Sequence, residues 1–149
     1  MRNVLLILIL AGSMLAGTSC ATVQPLLPEN VKWVDVPALP GAKLAVLVGD
    51  PAKPGLSTYR VWFPANYQIP AHFHPVDENV TTISGTIYIG LGEKLDMTKG
   101  TAYPAGSFAT RPANSRHYAW TKDETVIQAH IVGPGGITFV NPADDPRKK

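Results

Sequence analysis

The sequence predicts an all-β domain, a sandwich or a barrel, and three observations support this prediction. Short runs of β-branched and aromatic residues recur along the chain, and several of them alternate apolar and polar side chains. The 13 glycines and 14 prolines are scattered between these runs, as expected for turns. No segment after residue 25 has a helical period of apolar residues. The 149 residues are enough for one domain with a core and too few for two ordinary domains.

The first predicted strands are bounded by glycine and proline. Residues 31–36 alternate and end at Pro37, and residues 43–48 form a second strand that ends at Gly49. Residues 57–63 are rich in aromatic and β-branched side chains and are predicted to form the third strand.

The later strands are shorter and more closely spaced. Residues 79–84 and 86–91 are predicted to form a hairpin that turns at Ser84 and Gly85. Further predicted strands are residues 102–104, 107–111, 116–120, 125–132 and 137–140. A Gly-Pro-Gly-Gly turn at residues 133–136 precedes the last of them.

The stretch HFHPVDENVTTISG, residues 72–85, carries the strongest functional signal. His72 and His74 are two residues apart, so on an extended strand both imidazoles share a face. Pro75 interrupts the strand, and a turn there can bring the carboxylate of Glu78 back towards the two rings. We predict that these three residues and the distant His117 form one metal site. Imidazole nitrogens with a carboxylate oxygen suit iron, manganese, nickel, copper or zinc.

The same stretch resembles the first sequence motif of the cupin superfamily. That motif has a glycine, His-x-His after five residues, Glu after three or four more, and Gly after six. The matching residues are His72, His74, Glu78 and Gly85. Asn66 stands in place of the opening glycine, and asparagine tolerates the left-handed turn that glycine would make there.

A later stretch resembles the second cupin motif, which has a glycine, Pro-x-Gly after five residues, His after two and Asn after three. Gly106, Pro112 and His117 match this motif. Asn114 replaces the middle glycine, again a turn-compatible exchange, and Thr121 replaces the final Asn. The resemblance covers about residues 57–133.

The resemblance implies a single antiparallel jelly-roll β-barrel, the double-stranded β-helix, with a metal inside it. We expect this barrel to cover residues 31–141, after a tether at residues 22–30 and before a charged, frayed tail at residues 142–149. The resemblance does not imply one reaction, because cupins include dioxygenases, isomerases, decarboxylases, storage proteins and sensors. Cupins often pair through sheet edges, so the resemblance is compatible with a homodimer.

Four further polar residues are candidates for the lining of a pocket. Gln128 and His130 share a face of the predicted strand 125–132, where His130 is a candidate hydrogen bonder or proton shuttle. A purely structural role is the alternative for His130. Arg60 and Arg111 are candidates to bind an acidic substrate, because guanidinium pairs well with carboxylate. The alternative for each arginine is an exposed surface position.

Charge and motif content exclude several other classes of function. The 13 Lys and Arg residues nearly balance the 11 Asp and Glu residues, so nothing suggests a nucleic acid as partner. The sequence contains no G-x-S-x-G motif, and the glycine-rich turn at residues 133–136 lacks the Lys and Ser or Thr of a phosphate-binding loop. Cys20 is the only cysteine, so no internal disulfide can form.

Residues 1–21 are predicted to be an export signal. Arg2 supplies a positive charge, residues 4–10 are an unbroken apolar run, and small residues follow. The run is short for a membrane span, which needs about 20 residues. Cys20 resembles the lipid-modified cysteine of bacterial lipoproteins, although Gly17 stands where Leu is usual, and ordinary cleavage after Ala21 is the alternative. Either reading predicts a periplasmic or secreted protein, anchored to a membrane if Cys20 carries a lipid.

These features together predict a metal-dependent enzyme of dioxygenase type that acts on a small organic molecule. Glu78 is the candidate catalytic residue, because a carboxylate that leaves the metal can accept a proton from substrate. Two alternatives remain open. One is a non-catalytic cupin that binds or senses a metal or a small ligand, and the other is a cupin isomerase or decarboxylase.

The export prediction can be tested by fractionation of cells that make the full chain. Replacement of Cys20 by Ser is expected to release the protein from membranes if a lipid holds it there. Unchanged fractionation of this variant, together with normal processing, would instead favour secretion after Ala21. Removal of residues 1–21 is expected to leave a soluble, folded domain.

Overall fold

The computed structural model describes residues 25–149. The predicted export signal and the first part of the tether therefore lie outside the described residues. The strands are β1 (Val34–Asp35), β2 (Lys43–Val48), β3 (Gly55–Phe63), β4 (Gln68–Phe73), β5 (Glu78–Ser84), β6 (Thr86–Leu91), β7 (Thr101–Pro104), β8 (Phe108–Arg111), β9 (His117–Thr121), β10 (Thr125–Gly133) and β11 (Thr138–Phe139). Three 3-10 turns, Pro28–Asn30, Pro142–Asp144 and Pro146–Lys148, are the only helical elements of this part of the chain. No helix among the described residues is long and apolar enough to span a membrane.

The strands form two antiparallel sheets. One has six strands in the order β1-β2-β3-β10-β5-β8, and the other has five in the order β11-β4-β9-β6-β7. Strands that follow one another in sequence mostly lie in different sheets or apart in one sheet, as in a jelly roll. The prediction of an all-β, antiparallel jelly-roll barrel is confirmed.

The core lies between the two sheets, and the sequence period explains why. Buried and half-buried residues alternate along β10, so one face of this strand points into the barrel. The six-stranded sheet contributes Val61, Phe63, Val80, Ile127 and Ala129 to the main core. The five-stranded sheet contributes Ile69, Ile87, Ile89 and Ala119.

Strand β9 departs from this alternation because all of its five residues are buried. His117 and Ala119 face the barrel interior, whereas Tyr118 and Trp120 form a second apolar cluster with Ala71 on the outer side. Both faces of β9 are therefore covered, and the strand that carries His117 is held from two sides.

The predicted hairpin at Ser84 and Gly85 is wrong. Strand β5 pairs with β10 and β8, whereas β6 pairs with β9 and β7 in the other sheet. Gly85 is instead a corner at which the chain crosses between the sheets, with a φ of 71°. The sequence signal for a tight glycine turn is the same in both cases, because the strand partners are chosen by distant residues.

Two terminal expectations also need correction. The predicted first strand, residues 31–36, is reduced to β1 at the edge of the six-stranded sheet, where it pairs only with β2. The C-terminal residues, for which fraying was predicted, contain two 3-10 turns and contact the barrel. Asp145 is buried, accepts a hydrogen bond of 2.7 Å from Nε of Arg147, and lies between two 3-10 turns. Nη2 of Arg147 donates to the carbonyl of Ile137, which ties the tail to the barrel.

Replacement of Gly85 by Ala is expected to destabilise the barrel strongly. A Cβ atom there would lie 2.3 Å from the carbonyl oxygen of Glu124, and the positive φ adds about 1–2 kcal/mol of conformational cost. Gly106 is a matched control, because its φ is 87° and no atom lies within 4 Å of a Cβ built there. Urea unfolding should therefore give a larger loss for Gly85→Ala than for Gly106→Ala. Equal losses would mean that the contact with Glu124 relaxes without cost.

Candidate metal centre

Two neighbouring strands of the five-stranded sheet bring the three predicted histidine ligands together. His72 in β4 is the direct partner of His117 at the start of β9. Opposite residues of an antiparallel pair share a face, and the two ring centroids are 4.2 Å apart. His74 follows the end of β4, with its ring centroid 5.1 Å from that of His72 and 5.3 Å from that of His117.

The two asparagines that replace motif glycines adopt the predicted left-handed conformation. Asn66 has a φ of 57° and Asn114 a φ of 62°. Asn114 also links the two motifs, because its backbone N–H donates a hydrogen bond of 2.8 Å to the carbonyl oxygen of His74. The turn before His117 is thus fixed to the residue that carries another of the imidazoles.

Each of the three imidazoles is oriented by a backbone carbonyl. Nδ1 of His72 lies 2.7 Å from the oxygen of Pro70, and Nδ1 of His117 lies 2.9 Å from that of Ser115. Nδ1 of His74 lies 2.7 Å from the oxygen of Gly136, in the turn before β11. A carbonyl oxygen only accepts hydrogen bonds, so each Nδ1 carries the proton and each Nε2 has a lone pair that can accept a hydrogen bond or bind a metal.

The three remaining nitrogens form a ready-made set of donors. One ligand nitrogen from each of His72, His74 and His117 lies within 4.8 Å of the other two, and these histidines can hold a metal ion. A hydrogen bond from the opposite ring nitrogen to a carbonyl is the usual support of a metal-binding histidine. The donor set therefore fits a borderline transition metal.

Glu78 lies beside this cluster at the start of β5, with 4% of its surface exposed. Tyr59 donates a hydrogen bond of 2.8 Å to Oε1. Nη2 of Arg111 lies 2.9 Å from Oε2, and Nη1 of Arg111 donates to Nε2 of His117 at 3.2 Å. The carboxylate is thus held between a phenol, a guanidinium and the histidine cluster.

Glu78 contacts His74 but does not belong to the group of mutually close metal donors, which consists of the three histidines. Oε2 of Glu78 lies 3.2 Å from Nε2 of His74, and this buried oxygen has no well-aligned hydrogen bond. Because Nδ1 of His74 holds the ring proton, two lone pairs face each other across this distance. Nη2 of Arg111 lies 2.9 Å from the same oxygen and supplies positive charge to it, and a metal ion between the oxygen and the nitrogen would do the same.

Burial keeps the imidazoles neutral. It lowers the pKa of His117 to about 4 and the pKa of His72 well below 6.5, and the nearby positive charge of Arg111 acts in the same direction. Burial also lowers the pKa of His74. Neutral imidazole is the form that binds metals, so the cluster keeps its binding form well below neutral pH.

The pKa values of Glu78 and Tyr59 shift in opposite directions. Burial raises the pKa of Glu78, but the charge of Arg111 and the hydrogen bond from Tyr59 are among the effects that outweigh burial and lower it overall. Burial, with the charge of Glu78, raises the pKa of Tyr59. Glu78 is therefore a carboxylate and Tyr59 a neutral phenol at neutral pH.

A cavity of about 270 Å³ opens beside the cluster, between the two sheets. Its polar lining consists of Tyr59, His72, His74, Glu78 and Arg111, which contact one another directly or through the cluster. The rest of its wall is formed by apolar side chains and by backbone near residues 51–52 and 135–136. Polar groups are therefore confined to one region of an otherwise apolar space.

Three of the four predicted pocket residues lie elsewhere. Arg60, Gln128 and His130 project from the outer face of the six-stranded sheet, because their strand neighbours Tyr59, Ile127 and Ala129 face inwards. Nε of Arg60 donates to Oε1 of Gln128. The ring of His130 continues this hydrogen-bonded row, with Nε2 next to the amide of Gln128 and Nδ1 next to the hydroxyl of Thr58. The prediction that they line the cavity is wrong, whereas Arg111 does line it.

Tyr59 is the site residue that sequence reasoning missed. It shares a face of its strand with Val61 and Phe63, so the strand period alone indicates an inward position and no functional role. A phenol on an inward face needs a hydrogen-bond partner, and Glu78 is the partner. The need of an inward-facing tyrosine for a hydrogen-bond partner was the only sequence feature that could have indicated a place for Tyr59 in the site.

Comparison with known families gives one match that covers most of the chain. The family described as "Domain of unknown function (DUF4437)" matches residues 26–130. A comparison with curated proteins gives no significant match.

Solved structures with a similar fold share little sequence. The polyketide cyclase RemF from Streptomyces resistomycificus superposes with a TM-score of 0.68 at 16% identity, over 85% of this chain and 92% of that one. A putative acetylacetone dioxygenase from Methylibium petroleiphilum superposes with a TM-score of 0.61 at 21% sequence identity, over 86% of this chain and 88% of that one. The DMSP lyase DddQ from Ruegeria pomeroyi superposes with a TM-score of 0.60 at 17% sequence identity, over 74% of this chain and 61% of that one. At these identities the likeness shows the fold alone.

The neutral histidines predict that the metal-free protein loses stability as the pH falls. Below pH 6.5 an unfolded histidine gains a proton, whereas folded His117 stays neutral down to about pH 4. The unfolded state then binds more protons, so the free energy of unfolding falls through this window, by about 1.4 kcal/mol per pH unit for each such histidine. Urea unfolding across this range measures the slope. The variant His117→Gln should have a shallower slope, and a wild-type slope of zero would contradict the burial argument.

Proposed function

Because the chain belongs to the DUF4437 family, which is a cupin-like domain, we propose that it is a metal-dependent enzyme of dioxygenase type that acts on a small organic molecule. The observation that carries this proposal is the buried cluster of three neutral imidazoles whose Nδ1 atoms are all bound to carbonyls. In this proposal His72, His74 and His117 hold one divalent metal, and Glu78 is the fourth ligand.

The donor set suits iron, manganese, nickel, copper or zinc, and the choice among them is part of the proposal. When bound, a redox-active metal of this group would supply activation of dioxygen, and any of them would supply Lewis acidity. The apolar lining of the cavity supports an oxygenase, because dioxygen and an apolar substrate both partition into such a space while water is excluded.

The side chains around Glu78 support a role in proton transfer. Tyr59 and Arg111 contact its two carboxylate oxygens separately and hold the group ionised, next to the cavity. A carboxylate next to the cavity can accept a proton from a substrate, and the phenol of Tyr59, whose single O–H proton is donated to Oε1, holds this carboxylate in place. We assign Glu78 as the catalytic base of the proposed reaction.

The cellular location and the oligomeric state of the protein are also proposals. Residues 1–21 would direct export, with a lipid on Cys20 or cleavage after Ala21, and the fractionation of Cys20→Ser distinguishes the two. A homodimer through a sheet edge is proposed from the cupin resemblance, and sedimentation of the domain without residues 1–21 tests it.

Two substitutions are expected to separate metal binding from catalysis. Glu78→Gln keeps an oxygen but removes the charge, so the variant should keep much of its metal and lose most of its turnover. His74→Ala removes a ligand, so metal content and activity should fall together. His130→Ala is the control, because it removes a histidine from the outer face of the sheet and should change neither quantity. Circular dichroism checks that each variant is folded.

The assay is oxygen consumption by protein reconstituted separately with each of the five metals. Phenolic compounds and small keto acids form the first panel, and metal content is measured on the same samples. If the wild-type protein binds a compound tightly yet returns it unchanged with every metal, the enzyme proposal is wrong. A non-catalytic binding module would then account for the site, and Glu78→Gln would weaken ligand binding only in proportion to lost metal.

A further inference from the structure

The proposed function uses Arg111 only to hold Glu78 ionised, although this arginine also lines the cavity. It lies directly opposite Glu78 in the pairing of β5 with β8, so both side chains enter the barrel. Its side chain is 12% exposed, and its Nε has no hydrogen-bond partner. Among the described residues that line the cavity, it is the only lysine or arginine.

The charges of the site do not balance once a metal is present. The three imidazoles are neutral, and the positive charge of Arg111 cancels the negative charge of Glu78 at 2.9 Å. Glu78 is also the only carboxylate among the described lining residues. A divalent ion would therefore bring two positive charges that no side chain of the lining offsets. This holds whether or not Glu78 binds the metal, because the sum of the charges is the same.

An unbalanced charge in an apolar cavity is costly, so a negative group from solution must offset it. The rest of the wall limits what else that ligand can carry. Aliphatic and aromatic side chains such as Leu44, Val61, Phe63, Ile69, Ile127 and Ile131 surround the space of about 270 Å³. Apolar walls reject a second charge or a strongly hydrated body.

We propose that the substrate is a small organic anion, with one negatively charged oxygen group at Arg111 and the metal and an apolar body in the remaining cavity. This inference rests on the proposed metal site and specifies its substrate class. Arg111 is the residue that determines the specificity, since it cancels the charge of Glu78 and presents guanidinium N–H groups to the oxygen of the ligand.

The test compares benzoate with its neutral isostere benzamide on zinc-loaded protein, because zinc allows binding without redox turnover. Isothermal titration should give an affinity for benzoate at least about tenfold higher than for benzamide. In Arg111→Gln this preference should be clearly smaller, because the excess positive charge of the metal-loaded site falls from two to one and the guanidinium N–H groups are lost. The affinity for zinc should rise in the same variant, because a positive charge next to the metal and a hydrogen bond to Nε2 of His117 are both removed.

Arg60→Gln is the matched control. It removes the same charge from the outer face of the same sheet, where Arg60 contacts Gln128, so it should keep both the preference and the zinc affinity of the wild type. A purely structural role of Arg111 predicts a different result, in which zinc and benzoate affinities fall together in Arg111→Gln.

Several outcomes would overturn the inference. They are loss of both affinities in Arg111→Gln, an unchanged preference in that variant, and no preference or no benzoate binding by the zinc-loaded wild type at millimolar concentration. Failure of the wild type to bind zinc would overturn the proposed metal site itself. The two failures are therefore distinguishable, because zinc affinity is measured before either ligand is added.

Discussion

The pairing of β4 with β9 is the constraint on which the site depends. It sets His72 opposite His117 in one register, and a shift of one residue would turn one of these rings out of the barrel. The backbone carbonyls of Pro70 and Ser115, each two residues before a histidine, then fix the proton on Nδ1. The tertiary fold thus sets the position of these rings, and the local backbone sets their orientation.

The same apolar residues stabilise the barrel and shape the cavity. Val61, Phe63, Ile69 and Ile87 belong to the main core and also line the space beside the histidines. A larger side chain at such a position would fill the cavity and a smaller one would enlarge it, each at a cost in packing. Substrate size and the free energy of unfolding are therefore not independent in this fold.

The sequence was sufficient for most strands and for the positions of the histidines, because both depend on short-range periods and spacings. Residues 43–48 and 86–91 were predicted with the observed bounds of β2 and β6. The outward position of Arg60 could also have been predicted, since it alternates with Tyr59, Val61 and Phe63. Arg111 is different, because β8 has only four residues and no clear apolar face. The crossing at Gly85 depends on which strands pair, and no local pattern contains that information.

The hydrogen bond from His74 to Gly136 connects a candidate metal ligand with the wall of the cavity. Gly136 lies in the turn before β11, and this turn also lines the cavity. A molecule that displaced this turn would also displace the carbonyl that orients His74. By thermodynamic reciprocity, the factor by which a cavity ligand changes the affinity for the ion equals the factor by which the ion changes the affinity for that ligand. The carbonyl oxygen of Gly136 is therefore the contact through which the two binding equilibria would be linked.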